Sequence, residues 1–103
     1  MSVIVRTSTA KVVPRKLAAF TAYILAAVQD FPDRHAGLLG HEVLVDEENS
    51  ELIYLSRWRD EQALVDYAGP GWQRDPVVLP GEQEYLVAPL VVRHYRSGGV
   101  PGS

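Results

Sequence analysis

At 103 residues the chain is long enough for one domain and one hydrophobic core. It is 47% hydrophobic and 22% charged, as folded globular chains are, and its formal net charge of -3 excludes the clustered basic surface that nucleic acid or an anionic membrane requires. The absence of cysteine excludes disulfides, thiolate nucleophiles and cysteine-held zinc or iron–sulfur centres.

The opening run, with Arg6 inside it, lacks the charged, then apolar, then small-residue order of a signal peptide. No apolar stretch nears the ~20 residues that span a bilayer. The expected compartment is the cytoplasm, with neither nucleic acid nor membrane as a partner. Val3-Ile4-Val5-Arg6-Thr7-Ser8 is β-branched and predicts the first strand. Pro14 suits the first turn of a helix, where its missing N–H costs nothing. Leu17, Phe20, Ile24, Val28 and Phe31 then recur at spacings of three and four, an apolar stripe on a helix from about Pro14 to Asp30. Pro32 and Asp33-Arg34-His35 are expected to stop it.

A second strand is predicted from about Leu38 to Val45 and a third from about Glu51 to Arg59, joined by the turn Asp46-Glu47-Glu48-Asn49-Ser50. Asp60 is placed to cap a second helix, with Glu61 in its first turn, and Gly69-Pro70-Gly71 breaks that helix early. Trp72 to Leu86 reads as irregular with at most one helical turn, and Leu90 to Tyr95 as the fourth strand. Residues 97–103 have the composition of a flexible tail, leaving 1–96 as the domain. The order βαββαβ predicts an α+β, ferredoxin-like fold with an antiparallel sheet. Apolar residues alternate onto both faces of the strands, and the two helices cover only one face, so a homodimer with stacked sheets is expected.

Few residue patterns carry chemistry. His35, His41 and His94 have no ligand spacing and read as unconnected surface or edge groups, so no metal is expected. No serine sits in a nucleophile elbow, and no glycine-rich phosphate, flavin or nicotinamide loop is present. Leu52, Tyr54, Ser56 and Trp58 share one face of the third strand. With those side chains on the helix side, Tyr54, Trp58, Tyr67 and Trp72 would surround one cavity suited to a flat phenolic or polycyclic ligand. The bland alternative is that these rings fill the core. Arg6, mid-strand, is read as a structural group pairing across the dimer with a carboxylate such as Glu42.

The segments Gly37 to Asp46 and Tyr54 to Leu64 resemble the antibiotic biosynthesis monooxygenase family, and the likeness runs from Val3 to about Tyr95. The resemblance implies a dimeric α+β barrel. It also implies oxidation of aromatic polyketides by molecular oxygen without metal or flavin, degradation of haem, or no assigned reaction. Trp58 matches the third-strand tryptophan of the quinone-forming members, while Tyr54 stands where they carry asparagine. Tyr67 occupies the place of a histidine common near the end of the second helix, and Asn49 is the only asparagine in the chain. Gly69-Pro70 and Trp72 match the segment that follows. The expected activity is a cofactor-independent monooxygenase acting on a small phenolic or polycyclic, polyketide-like substrate. Trp58, Tyr54 and Tyr67 are assigned to catalysis, and Trp72, Ser56 and His94 to substrate binding. A polyketide cyclase and a non-catalytic ligand-binding barrel are the alternatives, and no general base is identified among Tyr67, His41 and His94.

Overall fold

The β-branched run near the amino terminus lies inside the sheet rather than at its edge. In the computed structural model, which describes residues 3–102, β1 (Ile4–Lys11) pairs antiparallel with both β3 (Glu51–Trp58) and β4 (Val91–Arg96). β2 (Leu38–Asp46) adds to the far side of β3, giving the order β2-β3-β1-β4. This is the ferredoxin-like α+β arrangement expected from the element order. Met1, Ser2 and Ser103, which close the expected domain and tail, lie outside the described residues.

The first strand runs three residues further than Ser8. Thr9, Ala10 and Lys11 pair with Ile53, Leu52 and Glu51, so ladder pairing overrides the weak strand preference of Ala and Lys. Pro14 opens a 3₁₀ turn (Pro14–Lys16) that leads into α1 (Leu17–Val28). Phe20, Ile24, Val28 and Phe31 of the predicted stripe are buried, and Leu17 packs against them half-buried. Pro32 is not the stop it was expected to be. It sits in the first turn of a one-turn helix, α2 (Phe31–Arg34), where it removes no hydrogen bond, and His35 ends that turn in an extended conformation.

α3 (Glu61–Ala68) begins as expected: Asp60 Oδ1 accepts from the Ala63 N–H at 2.9 Å. It ends at Gly69, whose φ of 86° is available to glycine at little cost. The connection to β4 contains one 3₁₀ turn, Glu82–Tyr85, and is tied down at several points. Val13 N–H donates to the Tyr85 carbonyl and Val87 N–H to the Lys11 carbonyl, each at 2.9 Å. The Tyr23 hydroxyl donates to the Pro80 carbonyl, and the Tyr85 ring packs on Phe20 and Tyr23. A long loop is thereby held across the helix side of the sheet.

Register decides which side chains meet. Ile4, Arg6, Ser8 and Ala10 align with Trp58, Ser56, Tyr54 and Leu52, all on the face beneath the helices. The opposite face carries Val5, Thr7, Thr9, Leu44, Ile53, Leu55, Val91 and Tyr95, and no described element covers it. Leu44, Val91 and Tyr95 are exposed there, at 38%, 50% and 52%.

Candidate active site

Beneath α1, α2 and α3 the sheet does not close completely. A cavity of about 30 Å³ remains, room for a water or two. Its floor is Arg6 and Ser8 of β1 with Tyr54 and Ser56 of β3. Ile24, Val28 and Phe31 form an apolar wall, Tyr67 of α3 the opposite wall, and Val77, Leu79 and Glu82 of the tied loop the cover. Beyond Tyr54 and Val28, which line both spaces, an open groove of about 270 Å³ runs along β2 past His41 and Val43 to Leu25 and Gln29.

Two ionisable side chains are buried at this cavity, Arg6 at 2% exposure and Glu82 at 4%. Neither takes part in an ion pair; those among the described residues are Lys11–Glu51, Arg34–Asp30 and Arg59–Asp60. Arg6 Nη1 donates to the Trp72 carbonyl at 2.7 Å and Nη2 to the Asp75 carbonyl at 3.1 Å. Nη1 also lies 3.0 Å from His94 Nε2, which accepts when that ring carries its proton on Nδ1. Burial, then the nearby Arg6 cation, holds the His94 pKa below its ordinary value and favours this neutral acceptor. Burial lowers the Arg6 pKa too, although a guanidinium stays charged at neutral pH.

Glu82 Oε2 accepts from the Leu79 N–H at 2.8 Å. Its other oxygen accepts no hydrogen bond from the described residues, and Glu82 lines the cavity. The Arg6 Nε–H and the Tyr67 hydroxyl likewise make no hydrogen bond to the described residues, and both residues line the cavity. Burial pushes the Glu82 carboxyl above its ordinary range, partly offset by the Leu79 N–H. Burial also raises Tyr67, with Arg6 pulling it down and Glu82 pushing it up, and raises Tyr54 with a further push from Tyr67. Both phenols are therefore protonated donors near neutral pH. Polar groups that converge on a cavity with an apolar wall are what a binding site for a small polar-edged molecule requires.

The fold has relatives. The family model for antibiotic biosynthesis monooxygenase matches residues 2–69. The chain belongs to that family. A monooxygenase from Streptomyces coelicolor, ActVA-Orf6, solved in complex with nanaomycin D, is similar with a TM-score of 0.70 and 16% identity, over 96% of this chain and 90% of that one. Rv0793 from Mycobacterium tuberculosis is similar with a TM-score of 0.69 and 20% identity over 99% and 100%. A conserved protein from Methanosarcina mazei gives 0.70 and 20% over 93% of each chain. No curated protein matches the chain in sequence.

Within this antibiotic biosynthesis monooxygenase chain the expected site residues divide into two sets. Tyr54, Ser56 and Tyr67 line the cavity. Trp58 lies behind it, fully buried, its ring stacked on Tyr67 at 4.8 Å and its Nε1–H donating to Ser56 Oγ at 2.8 Å. Trp72 and His94 lie behind Arg6, ring to ring at 4.8 Å, and do not line the cavity. Four aromatic rings thus do not surround one space: two face it and two back it. Arg6 shares the cavity face with Ser56 and His94, whereas Glu42 is in register with Leu55 of the other face, so the two do not pair within the chain.

The histidines are not scattered surface groups either. His35 packs edge-on to Tyr67 at 5.0 Å, His41 Nδ1 is 2.8 Å from the Tyr54 hydroxyl, and His94 holds Arg6. Among the described residues no group of three His, Cys, Asp or Glu converges to hold a metal ion, and no helix is long and apolar enough to cross a membrane. Two site residues escaped the sequence. Arg6 carried a signal, since it shares parity with Ile4 and Ala10 and so belongs on their face. Glu82 carried none, because it reads like its neighbour Glu84, which is exposed.

Proposed function

We propose that this protein is a monooxygenase that inserts an oxygen atom from dioxygen into a phenolic or polycyclic aromatic substrate without a cofactor. The observation that carries the reading is the set of donors converging on the cavity: the phenols of Tyr54 and Tyr67, Ser56 and the unpaired Arg6 guanidinium. Such donors favour an ionised substrate oxygen over its protonated form. The phenolate or enolate so formed, its charge delocalised onto a ring carbon, then gives one electron to dioxygen. The two radicals combine, and loss of water leaves a carbonyl, with one oxygen atom in the product and the other in the water. Family membership supports the same reaction class. The inner cavity takes only the reacting edge, and the groove beyond Tyr54 takes the remaining rings, since 30 Å³ is far below the roughly 300 Å³ of a drug-sized pocket. In this reading Tyr54 and Tyr67 are catalytic and Ser56 binds substrate. Trp58 positions Tyr67, while Trp72 and His94 position Arg6.

Oxygen uptake by the purified protein with an anthrone-type phenol tests the proposal. Saturable uptake above a heat-treated control is expected, with Tyr54→Phe reducing turnover by about tenfold or more through the lost donor. No uptake above control would leave the cyclase or a ligand-binding role.

We also propose that two copies stack their uncovered sheet faces. Leu44, Ile53, Thr9 and Val91 are neighbours in register across that face, and largely apolar surface of this kind marks an interface. Sedimentation analysis is expected to give a dimer, and Ile53→Glu a monomer, because an unpaired carboxylate buried in the contact costs several kcal/mol. A monomer for the unaltered chain would refute the dimer.

A further inference from the structure

Glu82 does more than close the turn at Leu79. Accepting the Leu79 N–H with one oxygen would be as effective at the surface, without burying a cavity-lining carboxylate at 4% exposure and leaving its second oxygen without a hydrogen bond from the described residues. Across that cavity lie a guanidinium with its Nε–H unused and the unpartnered Tyr67 hydroxyl, and no salt bridge joins the acid to the base. A buried anion and a buried cation that share a space without pairing are complementary to a molecule that arrives neutral and is split into proton and anion between them.

We propose that Glu82 is the general base of this cavity: its Oε1 takes the proton of an acidic O–H on a phenol or enol, and the oxygen so ionised is held by Arg6 and Tyr67. The substrate O–H bond breaks, an O–H bond forms on Glu82, and the electron pair stays on the substrate oxygen, so charge is conserved within the cavity. The chemical class follows. A neutral, weakly acidic hydroxyl fits, whereas a ligand already carrying a carboxylate or phosphate at that edge meets Glu82 as a like charge. This deepens the oxygenase reading and rests on it for the step that follows ionisation. Glu82, Val77 and Leu79 lie beyond the residues matched by the family model, so this base is a feature of the chain's own loop.

The groups facing Glu82 are Arg6 on β1, Tyr54 on β3 and Tyr67 on α3; α1 and α2 contribute only Ile24, Val28 and Phe31. Of these only Glu82 changes charge on the acid side of neutrality. Its carboxyl titrates above the ordinary range, so the active carboxylate grows in as pH rises through that raised pKa. Turnover is then expected to show an acid limb at higher pH than an ordinary glutamate gives. By the same sign, the native state holds this proton more tightly than the unfolded chain. Glu82 therefore stabilises relatively at low pH and loses that contribution as pH rises through its folded pKa.

The test uses 4-nitrophenol, whose phenol and phenolate absorb at separate wavelengths, titrated with the whole protein at a pH below the probe's own pKa. The unaltered protein is expected to bind it as the phenolate. Glu82→Gln, which keeps an acceptor for the Leu79 N–H, is expected to bind it as the neutral phenol while melting no lower than the unaltered protein at neutral pH. Glu82→Asp restores the phenolate spectrum in part. With an oxidisable phenol, Glu82→Gln loses about 10²–10⁴-fold in turnover together with the acid limb. Absence of saturable binding, neutral phenol on the unaltered protein, or an unchanged bound spectrum in Glu82→Gln would each overturn the proposal. Because the spectrum needs no oxygen chemistry, a protein that ionises the probe but consumes no oxygen fails the oxygenase reading and not this one.

Discussion

Trp58→Ala is expected to lower stability by about 3–5 kcal/mol, the range for deleting a large aromatic from a closed core. Trp58 has no exposed surface and sits opposite Ile4 and Leu38 in the sheet register. Its ring is the surface on which Tyr67 stacks, and its Nε1–H is the donor to Ser56 Oγ. Removing it leaves a cavity lined by elements the hydrogen-bonded sheet keeps from collapsing together. Against a total of roughly 5–15 kcal/mol for a domain of this size, the variant is close to unfolding at physiological temperature. Urea titration followed by circular dichroism and by the fluorescence of the remaining Trp72 measures the change. Trp58→Phe keeps a ring against Tyr67 and forfeits the indole donor, for a loss of about 1–2 kcal/mol. If Trp58→Ala stayed within about 1 kcal/mol of the unaltered protein, the tryptophan would not be the support of the Tyr67 wall described above.

Arg6→Met is expected to separate fold from function. The long apolar side chain fills most of the space, and the desolvation cost of a buried cation disappears. The carbonyls of Trp72 and Asp75 lose their donor, at about 1–3 kcal/mol each. These effects oppose one another, so the variant is expected to fold with a modest loss of stability. Turnover falls much further, by about 10²–10³-fold, because the cation facing the substrate oxygen is gone. Arg6→Lys does not restore it: a lysine is a point charge and cannot span both carbonyls while presenting a planar edge to the cavity. Thermal melting and steady-state oxygen uptake on the same preparations decide the matter. Unchanged turnover in a folded Arg6→Met protein would remove Arg6 from the site.

The sheet and helices were legible in the sequence because their signals are local. β-branched runs, the three-and-four spacing from Leu17 to Phe31, and the Asp60 cap each state a conformation within a few residues. Boundaries slipped where distant partners decide: β1 reaches Lys11 because β3 offers Glu51 opposite it. The site was half legible. Tyr54, Ser56 and Tyr67 follow from strand parity and helix phase, and the structure brings them to one cavity. Glu82 was invisible because its burial depends on how an irregular loop is tied to Lys11, Val13 and Tyr23, contacts that span 57 or more residues of the chain. Trp58 and Trp72 misled in the opposite direction, since a large ring on the right face of a strand or just past a helix reads the same whether it touches a ligand or supports what does.

The loop that covers the cavity has a consequence for how such a protein diversifies. Val77, Leu79 and Glu82 reach the site from a segment held by the Arg6 side chain at one end and by backbone hydrogen bonds and aromatic stacking at the other, outside the stretch matched by the family model. Scaffold and reagent are thus carried by separate pieces of the chain. Exchange of the segment between such chains can replace the acid–base group without disturbing a single rung of the β-ladder. One scaffold of sheet and helices can in this way be refitted for different chemistries by changing its cover.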